Sequence, residues 1–173
     1  HRYIPNYVAR MWLKDSKGHP VAAMYGPSSV VYDLGEGLSV KIRQKTAYPF
    51  EEKIEFEFDF YKDGKKSKDA HKMDFTYRIP EWCKSSDIRG FHTVSKDWRS
   101  GDTFVVTLPM ELETVPNPVQ GLCVQRGPVV YSYAIPSDCE EDTEIYDYLA
   151  GKVSGNPDFK CWNMTPAGKW NYA

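Results

Sequence analysis

The feature of this chain that most constrains its fold is a strict alternation of apolar and polar residues in two neighbouring segments. In Leu38–Thr46, every second residue is apolar as far as Ile42. Lys53–Tyr61 repeats the pattern, with acidic residues between the apolar positions Ile54, Phe56, Phe58 and Phe60. Because successive side chains of a strand point to opposite faces, both segments are predicted to be half-buried β-strands.

The segment between these strands, Ala47–Glu52, predicts a hairpin turn. The inward faces of a hairpin must match, so the numbers of paired residues have an even sum. One such register sets basic against acidic residues, namely Lys41 with Asp59, Arg43 with Glu57 and Lys45 with Glu55. Such pairs contribute about 0.2–1 kcal/mol each, which favours this register. A link that holds Tyr48-Pro49 could instead arch between two sheets.

Other short segments have the composition of strands and are separated by turn residues. They are Val21–Tyr25, Ser29–Tyr32, Met73–Ile79, Thr93–Lys96, Thr103–Leu108 and Glu111–Val115. The abundance of aromatic residues, with 12 Tyr, 8 Phe and 5 Trp, favours strands over helices. The predicted fold class is all-β, an antiparallel β-sandwich or jelly roll.

Leu122–Ile135 contains two apolar runs, and we expect the domain to be organised around them. Leu122–Val124 is too apolar to have a solvated face, and Val129–Ile135 alternates only in part. Gly127-Pro128 between them predicts a bulge, a kink or a sheet edge, because Pro lacks a backbone donor. Both runs are predicted to be central strands of a packed β-domain.

The N-terminal segment Tyr3–Leu13 predicts the one helix of the chain. Its apolar residues fall at helical spacing and form a stripe consisting of Ile4, Tyr7, Val8, Met11 and Trp12. A helix this short is marginal alone. The stripe is therefore predicted to pack on the sandwich or on a second copy of the chain.

Composition excludes several classes of partner. The formal net charge of −2 gives no general attraction to nucleic acid or to anionic lipid. No apolar run approaches the ~20 residues that span a bilayer. The chain begins at His1 without a Met, which agrees with a piece of a longer protein.

The four cysteines are widely separated and form no C-x-x-C motif, so zinc ligation is not predicted. Cys83 and Cys123 are interpreted as small buried hydrophobic residues. Cys139 and Cys161 could form a disulfide, and the sequence leaves this open.

Several motifs in this order resemble glycoside hydrolase family 127 (GH127), which is typified by β-L-arabinofuranosidases. The motifs are Tyr25–Ser28, Arg43–Phe50, Tyr77–Cys83, Trp98–Asp102, Leu108–Met110 and Gln125–Tyr131. One difference is the short segment Lys84–Phe91, where the family has an Asn-Gly hairpin. This difference leaves the subfamily and the sugar unassigned.

The resemblance implies an (α/α)₆ barrel with the active site, followed by β-sandwich domains. Residues 1–15 would be the end of the barrel, 16–135 the β-sandwich, and 136–173 an irregular tail that leads to a truncated strand at Lys169–Ala173. The family's nucleophilic and zinc-binding cysteines lie upstream of His1, and its catalytic glutamates lie further upstream. This chain is therefore expected to contain no catalytic, cofactor-binding or metal-binding residues, and zinc would belong to the upstream catalytic domain.

Within the chain, two tryptophans are candidates for carbohydrate binding. Trp82 and Trp98 could stack on sugar rings, although packing at the corners of the sandwich is favoured for both. The acids Glu55, Glu57 and Asp59 could supply a carboxylate pair, but exposed acids on an alternating strand are more simply its solvated face. Three histidines are isolated among turn residues and are interpreted as surface residues: His19, His71 and His92.

The leading hypothesis is a non-catalytic accessory domain of a GH127-like glycoside hydrolase, which braces the barrel and lines part of the substrate cleft. An autonomous carbohydrate-binding module and a protein-interaction domain are the alternatives. The expected partners are the upstream barrel of the same polypeptide, carbohydrate, and a second copy docked through the N-terminal helix. No nucleic acid or membrane partner is expected, and the parent protein could be secreted or periplasmic.

Overall fold

A computed structural model describes residues 3–84, 87–116, 121–142 and 161–169. The chain divides into two compact units, His1–Tyr131 and Ser132–Ala173, which are described separately. His1 lies outside the described residues, as does most of the strand predicted at Lys169–Ala173.

The described residues form one helix and fourteen strands. No helix among them is long and apolar enough to cross a membrane. The elements in chain order are α1 Tyr3–Ala9, β1 Trp12–Lys14, β2 Pro20–Ala22, β3 Ser28–Gly35, β4 Leu38–Thr46, β5 Lys53–Lys62, β6 Lys65–Lys66, β7 His71–Ile79, β8 Gly90–Trp98, β9 Thr103–Thr107, β10 Leu112–Pro116, β11 Leu122–Arg126, β12 Val129–Tyr131, β13 Ser137–Glu141 and β14 Trp162–Pro166.

Two sheets of the first unit form the predicted sandwich. One sheet has the order β1-β2-β7-β8, and the other has the order β3-β4-β5-β6 with β9 also paired to β5. The strand pairs are antiparallel except for β2 and β7, which run parallel. The structure confirms the all-β antiparallel sandwich and adds this one parallel pair.

The core lies between the inward faces of these two sheets. The side chains of Ile54, Phe56, Phe58 and Phe60 on β5 are fully buried. The ring of Phe75 on β7 lies 4.9 Å from that of Phe56 and 5.1 Å from that of Phe58, in edge-on arrangements. Burying one such side chain contributes about 1.5–3 kcal/mol, so this aromatic layer is a major source of the domain's stability.

The hairpin between β4 and β5 has the predicted register. Three oppositely charged pairs lie directly across from each other: Lys41 and Asp59, Arg43 and Glu57, Lys45 and Glu55. The alternative, an arch between the two sheets, is wrong. The alternation of apolar residues and the charge pattern select the same register, and this agreement explains why the prediction is confirmed.

The prediction for Leu122–Ile135 is wrong in its central claim. Strands β10, β11 and β12 form a separate three-stranded sheet, and Gly127-Pro128 is the turn between β11 and β12. Leu122 is 72% exposed and Val130 is 62% exposed. The strands exist, but among the described residues no second layer covers them as one covers β5.

The helix is also shorter than predicted. It ends at Ala9, and the stripe residue Trp12 belongs to β1 instead. Trp12 packs edge-on against Phe56 and donates its indole N–H to Ser28 Oγ at 3.1 Å. These contacts with the sandwich stabilise Trp12 in a strand and not in the helix. In α1, Ile4 is 65% exposed and Val8 is 60% exposed. The prediction that the helical stripe packs on the sandwich is therefore wrong for these residues.

In the second unit, β13 and β14 form an antiparallel pair with Cys139 opposite Met164. This strand pair replaces part of the irregular tail predicted for residues 136–173. No disulfide bond joins Cys139 to Cys161.

Candidate functional site

The acidic face of β5 is occupied by ion pairs. Arg43 bridges two carboxylates, with its Nε 3.1 Å from Glu57 Oε2 and its Nη2 2.5 Å from Asp59 Oδ2. Lys66 Nζ lies 2.6 Å from the other oxygen of Asp59, and Lys45 hydrogen-bonds to Glu57. The bonds run diagonally as well as straight across the strands, so one network connects β4, β5 and β6.

The electrostatics of this network do not suit a glycosidase acid. Hydrogen bonds from Lys45 and Arg43 lower the pKa of Glu57. Burial alone would raise the pKa of Asp59, but hydrogen bonds from Lys66 and Arg43 outweigh it and the pKa is lowered. A general acid needs a raised pKa so that it holds its proton near neutral pH. The geometry favours a structural role for this face.

Trp98 lies in the core. Its side chain is 0% exposed, and its indole N–H donates to Met73 O at 2.9 Å. Phe58 packs 4.3 Å away between ring centroids, and the ammonium of Lys96 lies 4.1 Å from the ring centroid. No ring face of Trp98 remains for a sugar.

Trp82, in contrast, is half-buried and lines a surface hollow. Behind it is the turn at Gly127, where an added Cβ would lie 2.8 Å from Met110 Cγ and 3.2 Å from Trp82 Cζ3. Only glycine fits there, and its φ of 55° also favours glycine. The tight turn therefore fixes one side of Trp82.

This hollow, which we call the tyrosine hollow, has a volume of about 390 Å³. It combines aromatic side chains from distant parts of the chain with one arginine. Its lining includes Tyr7, Tyr25, Tyr48, Arg78, Glu81 and Trp82.

Hydrogen bonds hold the aromatic wall in place. Tyr7 donates its hydroxyl to the carbonyl of Tyr25 at 2.8 Å. The hydroxyl of Tyr25 donates to the carbonyl of Arg78 and accepts that residue's backbone N–H at 3.1 Å. The indole N–H of Trp82 donates to the phenol oxygen of Tyr48. Helix α1, two loops and the end of β7 are thus connected around one cavity.

Sequence reasoning missed this constellation except for Trp82. Tyr25, Tyr48 and Arg78 lie within the family-like motifs, but nothing in their local spacing indicates that they meet. The pairing of β2 with β7 places Ala22 beside Tyr77, and this long-range contact brings the segments that contain Tyr25 and Arg78 together.

A second, more apolar hollow adjoins the first and shares Tyr7, Tyr25 and Tyr48 with it. It has a volume of about 450 Å³. The exposed side of α1 forms one wall, and proline-containing loops form the rest, so the lining also includes Ile4, Val8, Met11, Pro27, Pro49 and Pro128.

His19 is not the isolated surface histidine that the sequence predicts. Its Nδ1 lies 3.5 Å from a carboxylate oxygen of Asp15 and 3.5 Å from one of Asp74. The hydroxyl of Ser95 lowers the pKa of Asp74, and the charges of Lys17 and His19 act in the same direction. Within the described residues, Asp15, His19 and Asp74 are close enough together to be candidate metal ligands. Lys17 Nζ, however, lies 3.6 Å from the carboxylate of Asp74. Because Lys17 and the His19 ring both lie close to the carboxylate of Asp74, we interpret the cluster as an ion-pair network.

The other histidines have local partners. His71 stacks on Phe60 and its Nε2 lies 2.8 Å from Ser67 Oγ. His92 Nε2 lies 3.1 Å from Arg89 O. Cys83 is fully buried with its thiol 3.8 Å from Pro109 O, and Cys123 is half-buried. These contacts suit structural roles.

The fold defines a β-sandwich module whose charged face is neutralised and whose surface carries an aromatic hollow. Residues 21–89 match the family model described as the β-L-arabinofuranosidase, GH127 middle domain. The chain therefore contains a GH127-like domain. A comparison with curated proteins finds no match.

Solved structures share this fold. A GH127 β-L-arabinofuranosidase from Geobacillus stearothermophilus T6 matches with a TM-score of 0.58 and 17% identity, over 95% of this chain and 32% of that enzyme. A glycoside hydrolase matches with a TM-score of 0.55 and 20% identity, over 73% of this chain and 22% of its own. A GH127 β-arabinofuranosidase matches with a TM-score of 0.52 and 18% identity, over 73% of this chain and 23% of its own. The chain spans about a third or less of the length of these proteins.

Proposed function

We propose that this chain is a non-catalytic accessory domain of a GH127-like glycoside hydrolase. It braces an (α/α)₆ catalytic barrel of the same polypeptide and lines part of the substrate cleft. The match of residues 21–89 to a GH127 middle domain is the observation that carries the proposal. The electrostatics of β5 support it, because Glu57 and Asp59 have lowered pKa values and each of them contacts basic side chains.

The bracing surface is the exposed side of α1 together with the apolar hollow beside it. Ile4 and Val8 are exposed, yet they continue the apolar wall of that hollow. An exposed apolar patch of this kind is typical of an interaction site. A barrel docked there would bury it.

Activity measurements test the assignment of catalysis. The chain alone should not hydrolyse an aryl β-L-arabinofuranoside, with or without added zinc, whereas a longer protein that includes the barrel should. In the proposed division of labour, this chain holds neither a catalytic residue nor a metal. Turnover by the chain alone that is abolished by a Cys→Ala substitution would overturn the proposal.

The bracing role has its own test, with a matched control. Val8→Asp in the longer protein should lower its melting temperature and its activity, because a carboxylate would be buried at the docking surface. Val31→Asp is the control, since Val31 on β3 is 62% exposed and Val8 is 60% exposed. Equal effects of the two substitutions would contradict docking at α1.

Without the barrel, the same surface could join two copies of the chain. Sedimentation of the isolated chain should then show a dimer that Val8→Asp converts to monomer and Val31→Asp leaves intact. A monomer at all concentrations would remove self-association from the proposal and leave the barrel as the partner.

A further inference from the structure

Arg78 differs from the other arginines whose contacts are described. Arg43 and Arg126 each contact a carboxylate, and Arg89 lies 3.9 Å from Glu81. Arg78 is half-buried and bonds through its backbone to Tyr25. Its guanidinium has no hydrogen-bond or ion-pair partner within the described part of the chain. A partly desolvated guanidinium is a strong site for an anion with two acceptor oxygens.

The tyrosines around Arg78 do not supply the missing negative charge. Burial raises the pKa of Tyr48 to about 12, and it also raises the pKa of Tyr7 and of Tyr25. All three phenols are protonated at neutral pH. They offer hydroxyl groups and ring surfaces, so the charged groups of the lining are Arg78 and, at the rim, Glu81, which lies 3.9 Å from Arg89.

The rest of the lining has the character of a carbohydrate subsite. Trp82 and Tyr48 provide aromatic surface, and about 390 Å³ lies within the usual range for small-ligand pockets. The phenol of Tyr48 accepts the Trp82 indole N–H and can still donate its own proton. Glu81, which is exposed at the rim, can accept from a sugar hydroxyl.

We propose that the tyrosine hollow binds an acidic sugar, with the carboxylate of a hexuronate on Arg78 and the sugar ring against Trp82. This goes beyond the proposed accessory role, because it assigns the domain a ligand of its own. The site is tested on the chain without the barrel, because the proposed docking surface shares Tyr7, Tyr25 and Tyr48 with this hollow.

Nuclear magnetic resonance of the Trp indole N–H groups tests the site in the 173-residue chain. Galacturonate should shift the Trp82 signal, which is assigned by its loss in Trp82→Phe. The signal of Trp98 should stay unchanged, since that indole is buried and donates to Met73 O. The methyl ester of galacturonate and plain acetate should each bind at least about tenfold more weakly, because each lacks either the charge or the ring.

Three substitutions locate the binding. Arg78→Met should abolish the shift, and Arg78→Lys should weaken binding about tenfold, because an ammonium keeps the charge but loses the two-pronged geometry. Arg99→Met is the control, since Arg99 is exposed on a turn and donates to Lys68 O. If Arg78→Met does not fold, Arg78→Lys and Trp82→Leu carry the test.

Several results would overturn the proposal. They are no shift with galacturonate, equal affinity for the neutral ester, equal affinity for acetate, or unchanged binding in Arg78→Lys. None of them affects whether a longer protein hydrolyses arabinofuranosides, so failure of this site is distinguishable from failure of the proposed accessory role.

Discussion

Strands β5 and β11 are both rich in apolar residues, yet only β5 is packed on its apolar face. On β5, four inward side chains are fully buried, and the acids between them bind basic partners on β4 and β6. On β11, Leu122 is 72% exposed and Val124 is 41% exposed. The sheet of β10, β11 and β12, which we call the third sheet, contacts the sandwich through Arg126. The guanidinium of Arg126 hydrogen-bonds to Glu52 and to the carbonyl of Phe50.

The difference shows that apolar content alone does not determine burial in this chain. Strand β5 has a strict period of two, a matching partner in β4 and an opposing layer that includes Phe75. Strand β11 has a partner on each side but no opposing layer among the described residues of its unit. The following experiments test whether this contrast holds in solution.

Truncating the core should have the largest effect. Phe58→Ala should lower the free energy of unfolding by about 3–5 kcal/mol, because it leaves a cavity between the two sheets. Leu122→Ala in the third sheet should change it by less than about 1 kcal/mol, since most of that side chain is already in water. Urea denaturation of both variants measures the contrast, and equal losses would show that the third sheet is packed like the core.

Removing the charge of Asp59, the most buried of the three acids on β5, should have an intermediate effect. Asp59→Asn keeps the side-chain volume but weakens the bonds to Arg43 and Lys66, which should cost about 1.5–3 kcal/mol. The control is Glu55→Gln, whose partner Lys53 is largely solvated, and it should cost about 0–1 kcal/mol. If the control were as destabilising as Asp59→Asn, burial would not explain the strength of the network.

The sequence predicts β4 and β5 well because two independent signals agree there. The period of two fixes which face is buried, and the opposite charges of Lys41 and Asp59 fix the register. For α1, the apolar spacing continues through Trp12, so the sequence overextends the helix; contacts with Phe56 and Ser28 place that residue in a strand. Long-range packing overrides a local pattern here.

The tyrosine hollow could not be predicted for a different reason. Tyr7, Tyr48 and Arg78 belong to a helix, a loop and a strand end, and no local pattern relates them. The motifs that contain Tyr25, Tyr48, Arg78 and Trp82 carry the family resemblance, so the sequence marks the residues without showing that they share a cavity. The exposure of β11 escaped prediction because a strand's sequence does not show whether a second layer covers it.

Acid should weaken the β5 network. The pKa values of Glu57 and Asp59 are lower in the folded state than their usual values near 4. Their contribution to the free energy of unfolding is therefore complete above about pH 4, and it is lost as the pH falls through the folded-state pKa values. The stability gap between the wild type and Asp59→Asn should therefore narrow between about pH 5 and pH 2. Urea midpoints across this range measure it, and a constant gap would contradict the assigned pKa shift.

The smallest effect is expected from a matched pair of polar substitutions. Val130→Thr on β12 should leave the free energy of unfolding within about 0.5 kcal/mol, because Val130 is 62% exposed and Thr also favours strands. Val40→Thr on β4 makes the same chemical change at a fully buried position and should cost about 1–3 kcal/mol, since the new hydroxyl is desolvated. Thermal and urea unfolding distinguish the two. A cost at Val130 equal to that at Val40 would mean that β12 is covered in solution, and the contrast between the packed and the exposed strands would then fail.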